Sequence, residues 1–169
     1  AVYNLPESFI MLGRGYVAGI IPLQVIIMLG IAAVSYIVLS KTAFGRRVYA
    51  IGGNEMVAEL SGINVRKNKI IYYILSGICA SIAGMIMTSR MGSGQPSMGA
   101  TWNMDSITAI VIGGTSLNGG SGSITGSVLG TIMMVMITNG LNIVGVNSFW
   151  QMVISAMILI ITIIVYRND

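Results

Sequence analysis

The chain has 169 residues, of which 54% are hydrophobic and 8% are charged, and its nine basic and five acidic residues give a formal net charge of +4. Soluble domains carry about a quarter charged residues, so this composition excludes an ordinary water-soluble fold. The absence of histidine excludes histidine-based triads and metal sites, and the single cysteine, Cys79, excludes an internal disulfide.

The first charge-free run of spanning length extends from Ala18 to Ser40. At about 1.5 Å per residue it reaches about 35 Å, which is enough to cross a bilayer with some tilt. The stretch before it contains Pro6, Gly13 and Gly15 and is typical of a loop. Because the chain starts at Ala1 without a signal-peptide pattern, we expect it to be the C-terminal part of a longer protein.

The next segment, from Lys41 to Lys69, is basic and holds six of the nine cations: Lys41, Arg46, Arg47, Arg66, Lys67 and Lys69. A charge at the bilayer centre costs about 3 kcal/mol, so this segment lies in water. By the positive-inside rule it is cytoplasmic, and the first span runs from outside to inside. Basic residues clustered between two apolar runs indicate a membrane interface and argue against a nucleic-acid partner.

The second span is predicted from Ile70 to Thr88 and returns outward. Ser76, Ala80 and Gly84 recur every fourth residue along it, and small residues at this spacing allow another helix to approach closely. An outer loop is predicted to follow, from Ser89 to Met104.

From Ser106 to Tyr166 the chain has no charge, but glycines and asparagines interrupt it at Gly113, Gly114, Gly119, Gly120 and Gly122, and later at Asn139, Asn142, Gly145 and Asn147. This pattern predicts a short helix near Asp105–Gly113, a glycine-rich turn, and spans near Ile124–Thr138 and Trp150–Tyr166, followed by Arg167 in the cytoplasm. The predicted fold class is an all-α polytopic transmembrane helix bundle with interrupted helices, in a single domain over residues 1–169. The runs lack the alternating pattern of a transmembrane β-barrel, and their number argues against a soluble bundle of buried helices.

A short cytoplasmic helix is predicted inside the basic segment. Asn54 suits its N-cap, Glu55 suits the positive helix end, and Gly62 suits the left-handed position that stops it. Two turns are not stable alone in water, so the apolar side chains of this helix must pack on something. Two alternatives stay open at this point: the chain's own spans or the lipid headgroups, and a groove in a cytoplasmic partner. The apolar side chains are Met56, Val57 and Leu60.

The run from Ile112 to Gly126 is rich in glycine but is not a phosphate-binding loop, because it contains no lysine. Non-helical backbone at membrane depth is tolerated where it lines water or is buried in protein. The run is therefore either part of a transport path or a plain turn between helices. Gly122, Gly126 and Gly130 continue at four-residue spacing and predict close packing of the next span.

Five polar residues are candidates for a substrate pathway: Gln95, Asp105, Asn118, Asn139 and Asn142. Amide side chains can hydrogen-bond sugar hydroxyls, and a carboxylate can orient a substrate. Each also has a structural alternative, because asparagine and glutamine cap and turn the chain. Asp105 could also pair with Arg90, but an acid at a helix N-terminus, where the helix dipole favours it, is the preferred interpretation.

Several stretches, taken in order, resemble the permease subunits of ribose-type ABC importers. They are residues 45–55 (Gly-Arg-Arg-Val-Tyr-Ala-Ile-Gly-Gly-Asn-Glu), 58–65, 75–84, 95–96, 112–117 (Ile-Gly-Gly-Thr-Ser-Leu), 139–142 (Asn-Gly-Leu-Asn) and 149–151. The resemblance covers nearly the whole chain. It departs at Trp102 and Met104, at Ser121 and Ser123, where a basic residue is often found, and at the short C-terminal tail.

The resemblance implies a plasma-membrane permease that imports ribose or a related monosaccharide. It implies as partners a cytoplasmic ABC ATPase subunit, a second permease copy, an extracytoplasmic sugar-binding protein and membrane lipid. ATP would be bound and hydrolysed by the ATPase, so this chain would carry neither catalytic residues nor a cofactor. The implied ATPase-coupling residues are Gly52, Gly53, Asn54, Glu55, Ala58, Glu59, Leu60 and Gly62.

Three other hypotheses stay open. A branched-chain amino acid permease shares the short cytoplasmic motif, although the Gly-Gly-Thr-Ser-Leu and Asn-Gly-Leu-Asn stretches fit the sugar branch better. A secondary transporter that needs no ATPase typically has acids within its spans, and none lies between Ser106 and Tyr166. A non-transporting scaffold is disfavoured by the glycine-interrupted helices.

Overall fold

The computed structural model describes residues 6–17, 19–95, 99 and 102–167, the last three by their backbone alone. Its elements are almost all helices, which confirms the all-α class. In chain order they are α1 (Glu7–Arg14), β1 (Tyr16–Val17), β2 (Ile21–Pro22), α2 (Leu23–Lys41), α3 (Ala43–Gly53), α4 (Glu55–Leu60), α5 (Val65–Met91), α6 (Trp102–Ile112), α7 (Ile124–Ile143) and α8 (Ser148–Arg167).

Among the described residues, three helices, α2, α5 and α7, are long and apolar enough to cross a membrane. Helix α8 adds a further apolar stretch from Ser148 to Ile164. Most side chains of these helices are uncovered by the rest of the described chain, which leaves their apolar surface to lipid or to other protein. Helix α2 follows Pro22 directly, and the predicted start of this span at Ala18 lies outside the described residues.

Helix α1 corrects the prediction of a loop before the first span. Its helical conformation is supported by a contact with the C-terminal end of α5. The Gly13 amide donates a hydrogen bond of 2.6 Å to the Ser89 hydroxyl, which in turn contacts the Phe9 carbonyl oxygen. A side chain at position 13 would lie 2.7 Å from Ser89 Oγ, so the glycine is what allows α1 to rest on α5.

Strands β1 and β2 form a small antiparallel pair between α1 and α2. Tyr16 lies opposite Pro22, and Val17 lies opposite Ile21. The pair reverses the chain before the first span begins.

Helices extend further into the basic segment than predicted. Helix α3 was not predicted at all, and α5 begins at Val65 rather than Ile70. The Asn64 side chain caps α5 by accepting a hydrogen bond of 3.0 Å from the Lys67 amide. A helix can continue into water beyond its apolar run when its first amides are capped in this way.

Helices α6 and α7 also differ from their predicted bounds. Helix α6 begins at Trp102 rather than Asp105, and α7 continues to Ile143 rather than ending at Thr138. Asn139 and Asn142 therefore lie in the last turns of α7, not in a break.

The closest packing in the described chain joins α6 to α7, which run antiparallel. A Cβ at Gly113 would lie 2.8 Å from the Ser127 amide nitrogen, and a Cβ at Gly130 would lie 2.8 Å from the Gly113 amide nitrogen. The two backbones are therefore in direct contact, as the four-residue glycine spacing predicts. Helix α8 packs on the other side of α6. The buried side chains here are Thr108, Ala109, Val111 and Met134.

In the described part of the chain, the main contacts of α5 lie at its two ends. Helix α1 packs on its C-terminal end, and α3 and α4 contact its N-terminal end. Between them, a Cβ at Gly77 or Gly84 would meet no heavy atom within 4 Å. The stripe formed by Ser76, Ala80 and Gly84 thus has no neighbouring helix in the described part of the chain, and its predicted packing stays a prediction.

Candidate functional site

The site is the corner where α3 ends and α4 begins, residues 52–62, here named the α3–α4 corner. Asn54 takes the predicted N-cap role, since its side-chain oxygen accepts a hydrogen bond of 3.1 Å from the Val57 amide. Gly62 adopts the predicted left-handed conformation, with φ +82°. Gly52 and Gly53 form the last turn of α3.

The apolar residues of α4 project away from the protein. Leu60 is 84% exposed, Met56 is 73% exposed and Val57 is 57% exposed. The helix is held to the rest of the chain by Ala58 instead, which is only 3% exposed. The structure therefore does not place the apolar face of α4 on the chain's own spans, and that face is available to a partner or to lipid headgroups.

Charged residues surround the α3–α4 corner. Lys69 and Glu55 form an ion pair, with Lys69 Nζ 2.5 Å from Glu55 Oε1. Both side chains are substantially exposed, so the pair contributes little stability. Arg46, Arg47 and Glu59 are exposed as well, which gives this surface a mixed but mainly basic character.

The glycine-rich run is a turn between α6 and α7, here named the glycine turn (residues 113–122). It lies against the α3–α4 corner, because a Cβ at Gly52 would be 2.7 Å from the Gly120 amide nitrogen. The Tyr49 hydroxyl donates a hydrogen bond of 2.9 Å to the Gly122 carbonyl oxygen. The run is thus placed at the end of the bundle that carries the basic segment.

The five predicted pathway residues do not converge. Asn118 lies exposed in the glycine turn, before the start of α7, whereas Asn139 and Asn142 lie near the C-terminal end of α7. Asp105 is half-buried in the first turn of α6, and Gln95 is exposed beyond α5. Their role in a substrate pathway stays a prediction, and Asp105 forms no ion pair with Arg90 in the described residues.

Two residues, Gln151 and Tyr49, make contacts that were not predicted from the sequence. The Gln151 side chain donates hydrogen bonds of 2.8 Å to Asn142 Oδ1 and to the Val146 carbonyl oxygen, and so closes the turn between α7 and α8. Tyr49 binds a backbone carbonyl 73 positions away, and no local pattern signals such a contact. Among the described residues there is no group of three or more potential metal-binding side chains.

Comparison with known proteins gives the family. Residues 2–163 match the family model described as branched-chain amino acid transport system / permease component. The chain is 45% identical over 161 residues to the ribose import permease protein of Bacillus subtilis, covering 95% of this chain and 50% of that protein. It is 40% identical over 158 residues to the ribose import permease protein of Haemophilus influenzae, covering 94% of this chain and 49% of that protein.

A third relative is the xylose transport system permease protein of Haemophilus influenzae, 43% identical over 143 residues, covering 85% of this chain and 38% of that protein. No solved structure gives a significant match. The chain spans about half the length of the ribose permeases that it matches. Its relatives and its three candidate spans make it part of a multi-pass plasma-membrane protein. The chain therefore belongs to the transport permease family described as branched-chain amino acid transport system / permease component.

Proposed function

We propose that this chain is part of the transmembrane permease of an ATP-driven importer that carries ribose or a related monosaccharide. One observation of the structure carries the ATPase part of this proposal. Met56, Val57 and Leu60 project from the cytoplasmic end of the bundle while Ala58 anchors their helix. A short amphipathic helix fixed at its base and apolar at its tip suits insertion into a groove of a partner protein.

The substrate part of the proposal is supported by the relatives, whose names specify ribose import and xylose transport. Branched-chain amino acids are the second candidate substrate, because the family description names them. Direct uptake of labelled ribose, labelled xylose and labelled leucine by the complete transporter separates the two. Uptake of leucine alone would favour the amino acid.

The proposed partners are a cytoplasmic ABC ATPase, a second permease copy, an extracytoplasmic sugar-binding protein and the surrounding lipid. Closure of the ATPase around ATP displaces α4, and the spans reorganise so that the sugar pathway opens alternately to the two sides. ATP is bound by the ATPase, so this chain needs no cofactor and performs no catalysis. The coupling contact comprises Gly52, Gly53, Asn54, Glu55, Ala58, Glu59, Leu60 and Gly62.

The test is co-purification of the full permease containing this chain with its co-expressed ATPase in detergent. A Glu59→Lys/Leu60→Ala double variant is compared with the wild type. The matched control is Glu7→Lys/Val144→Ala, which makes the same kinds of change at exposed positions away from the α3–α4 corner.

We expect the wild type and the control to retain the ATPase and the double variant to lose it. Equal retention by all three would show that α4 is not the docking element. If no form retains an ATPase, uptake driven by an ion gradient in vesicles without ATP would establish a secondary transporter instead.

A further inference from the structure

The α3–α4 corner touches the glycine turn backbone to backbone. A Cβ at Gly120 would lie 2.8 Å from Gly53 Cα, and a Cβ at Gly52 would lie 2.7 Å from the Gly120 amide nitrogen. A Cβ at Gly119 would overlap the Gly52 carbonyl oxygen. Side chains on either surface would hold the two segments apart, so this contact depends on glycine on both sides.

A directional contact accompanies the glycines. The Tyr49 hydroxyl donates its hydrogen bond of 2.9 Å to the Gly122 carbonyl oxygen. Tyr49 belongs to α3, one turn before Gly52. The end of α3 is therefore fastened to the glycine turn at two adjacent points, of which one is steric and the other is a hydrogen bond.

The glycine turn is itself firmly joined to α6 and α7. Its two arms are linked where the Ser116 amide donates a hydrogen bond of 3.0 Å to the Ser121 carbonyl oxygen. Ser123 caps α7 by accepting a hydrogen bond of 3.0 Å from the Gly126 amide. Because α6 and α7 also contact each other backbone to backbone through Gly113, the turn and both helices form one stiff unit.

The non-covalent contact of α4 with α5 is weaker. It includes the exposed ion pair between Glu55 and Lys69, a type of contact that contributes little in water. The chain between α4 and α5 passes through Gly62 in the left-handed conformation, which glycine adopts without strain because it lacks a Cβ. The stiffer connection of the α3–α4 corner therefore leads to α6 and α7.

We propose that the contact of Tyr49 and Gly52 with the glycine turn transmits the displacement of α4 to α6 and α7, which move with the α3–α4 corner as one body. This inference rests on the proposed function, because α4 is displaced only if an ATPase docks there. It adds that Tyr49, Gly52 and Gly120 act as positioning residues in transport, without contact to sugar or to ATP.

The first test uses two variants in the complete transporter. Tyr49→Phe removes the hydrogen bond and is compared with Tyr73→Phe, whose side chain is exposed on α5. Gly52→Ala forces the two backbones apart and is compared with Gly30→Ala, whose Cβ would meet no heavy atom within 4 Å. The measurements are ATPase co-purification, ATP hydrolysis and sugar transported per ATP hydrolysed in proteoliposomes.

We expect Tyr49→Phe and Gly52→Ala to retain the ATPase and to hydrolyse ATP. Sugar transported per ATP should fall about fivefold in Tyr49→Phe, the change expected for loss of one net hydrogen bond, and further in Gly52→Ala. The two controls should match the wild type. Full transport per ATP in both variants would overturn the proposal while leaving ATPase docking intact, whereas a wild type that holds no ATPase would overturn the proposed function itself.

A second measurement avoids altering the contact. Spin labels are placed at exposed positions on both sides, Ala50→Cys on α3 and Leu117→Cys in the glycine turn, in a Cys79→Ser background. We expect the distance between the labels to be the same in the nucleotide-free and ATP-bound transporter. A shift on ATP binding beyond the width of the nucleotide-free distribution would show that the two segments separate, which would refute their movement as one body.

Discussion

Replacing Gly130 with alanine tests the backbone contact between α6 and α7. The added Cβ would lie 2.8 Å from the Gly113 amide nitrogen and 3.1 Å from Gly113 Cα, and it would overlap the Ala109 carbonyl oxygen. Carbon contacts are relaxed at about 3.5–4.0 Å, so α7 must move away from α6 by about 1 Å. Overpacking of this kind costs about 1–3 kcal/mol.

The substitution also has a favourable effect that must be separated from the packing cost, because alanine favours helix over glycine by about 1 kcal/mol. Gly140→Ala in the same helix is the control, since its Cβ would meet no heavy atom within 4 Å. The difference between the two variants isolates the packing cost. Reversible unfolding of the permease in mixed detergent micelles should show Gly130→Ala to be less stable than Gly140→Ala by about 1–3 kcal/mol. Equal stability of the two variants would refute direct contact of the helices.

Three further predictions concern α4. Leu60→Ala should weaken ATPase binding by about 10- to 150-fold in a titration, because burying a leucine contributes about 1.5–3 kcal/mol. It should leave permease stability unchanged, since Leu60 is exposed; unaltered affinity would contradict its burial on docking. Asn54→Ala removes the cap of 3.1 Å to the Val57 amide at a cost of about 1 kcal/mol, so amide hydrogen exchange in α4 should accelerate about fivefold; unchanged exchange would show that docking rather than capping holds the helix. Glu55→Gln should change the free energy of unfolding by less than about 1 kcal/mol, because its ion pair with Lys69 is exposed; a larger loss would indicate that the assembled transporter buries the pair.

The spans were predictable because the signal is local. A charge-free run of sufficient length specifies a membrane helix, because its apolar side chains are unfavourable in water. Its backbone groups would be unfavourable in hydrocarbon unless the helix hydrogen-bonds them. Helix α1 was not predictable, because the contacts of the Ser89 hydroxyl with Phe9 and Gly13 join positions more than seventy residues apart. The end of α7 involves a similar contact with a later residue, because the Gln151 side chain donates a hydrogen bond to Asn142 Oδ1.

At the α3–α4 corner, too, the local features were predictable from sequence and the distant contacts were not. Asn54 and Gly62 were predictable as helix ends because a cap and a left-handed stop are properties of single residues in a short window. The exposure of Leu60 required the structure, since the amphipathic pattern fits both a buried face and a docking face. The partner of Gly52 could not be found from sequence either, because glycine spacing indicates that something approaches closely without saying what.

The unequal lengths of α6 and α7 have a consequence for how the outer part of this bundle meets its surroundings. Gly113 and Ala109 pack against Gly126 and Gly130, which in antiparallel helices sets Trp102 at about the level of residue 137 and leaves the last six residues of α7, about 9 Å, without α6 beside them. Ile143, the last residue of this stretch, is 87% exposed, so α6 cannot shield it and its apolar side chain is left to lipid or to a neighbouring protein.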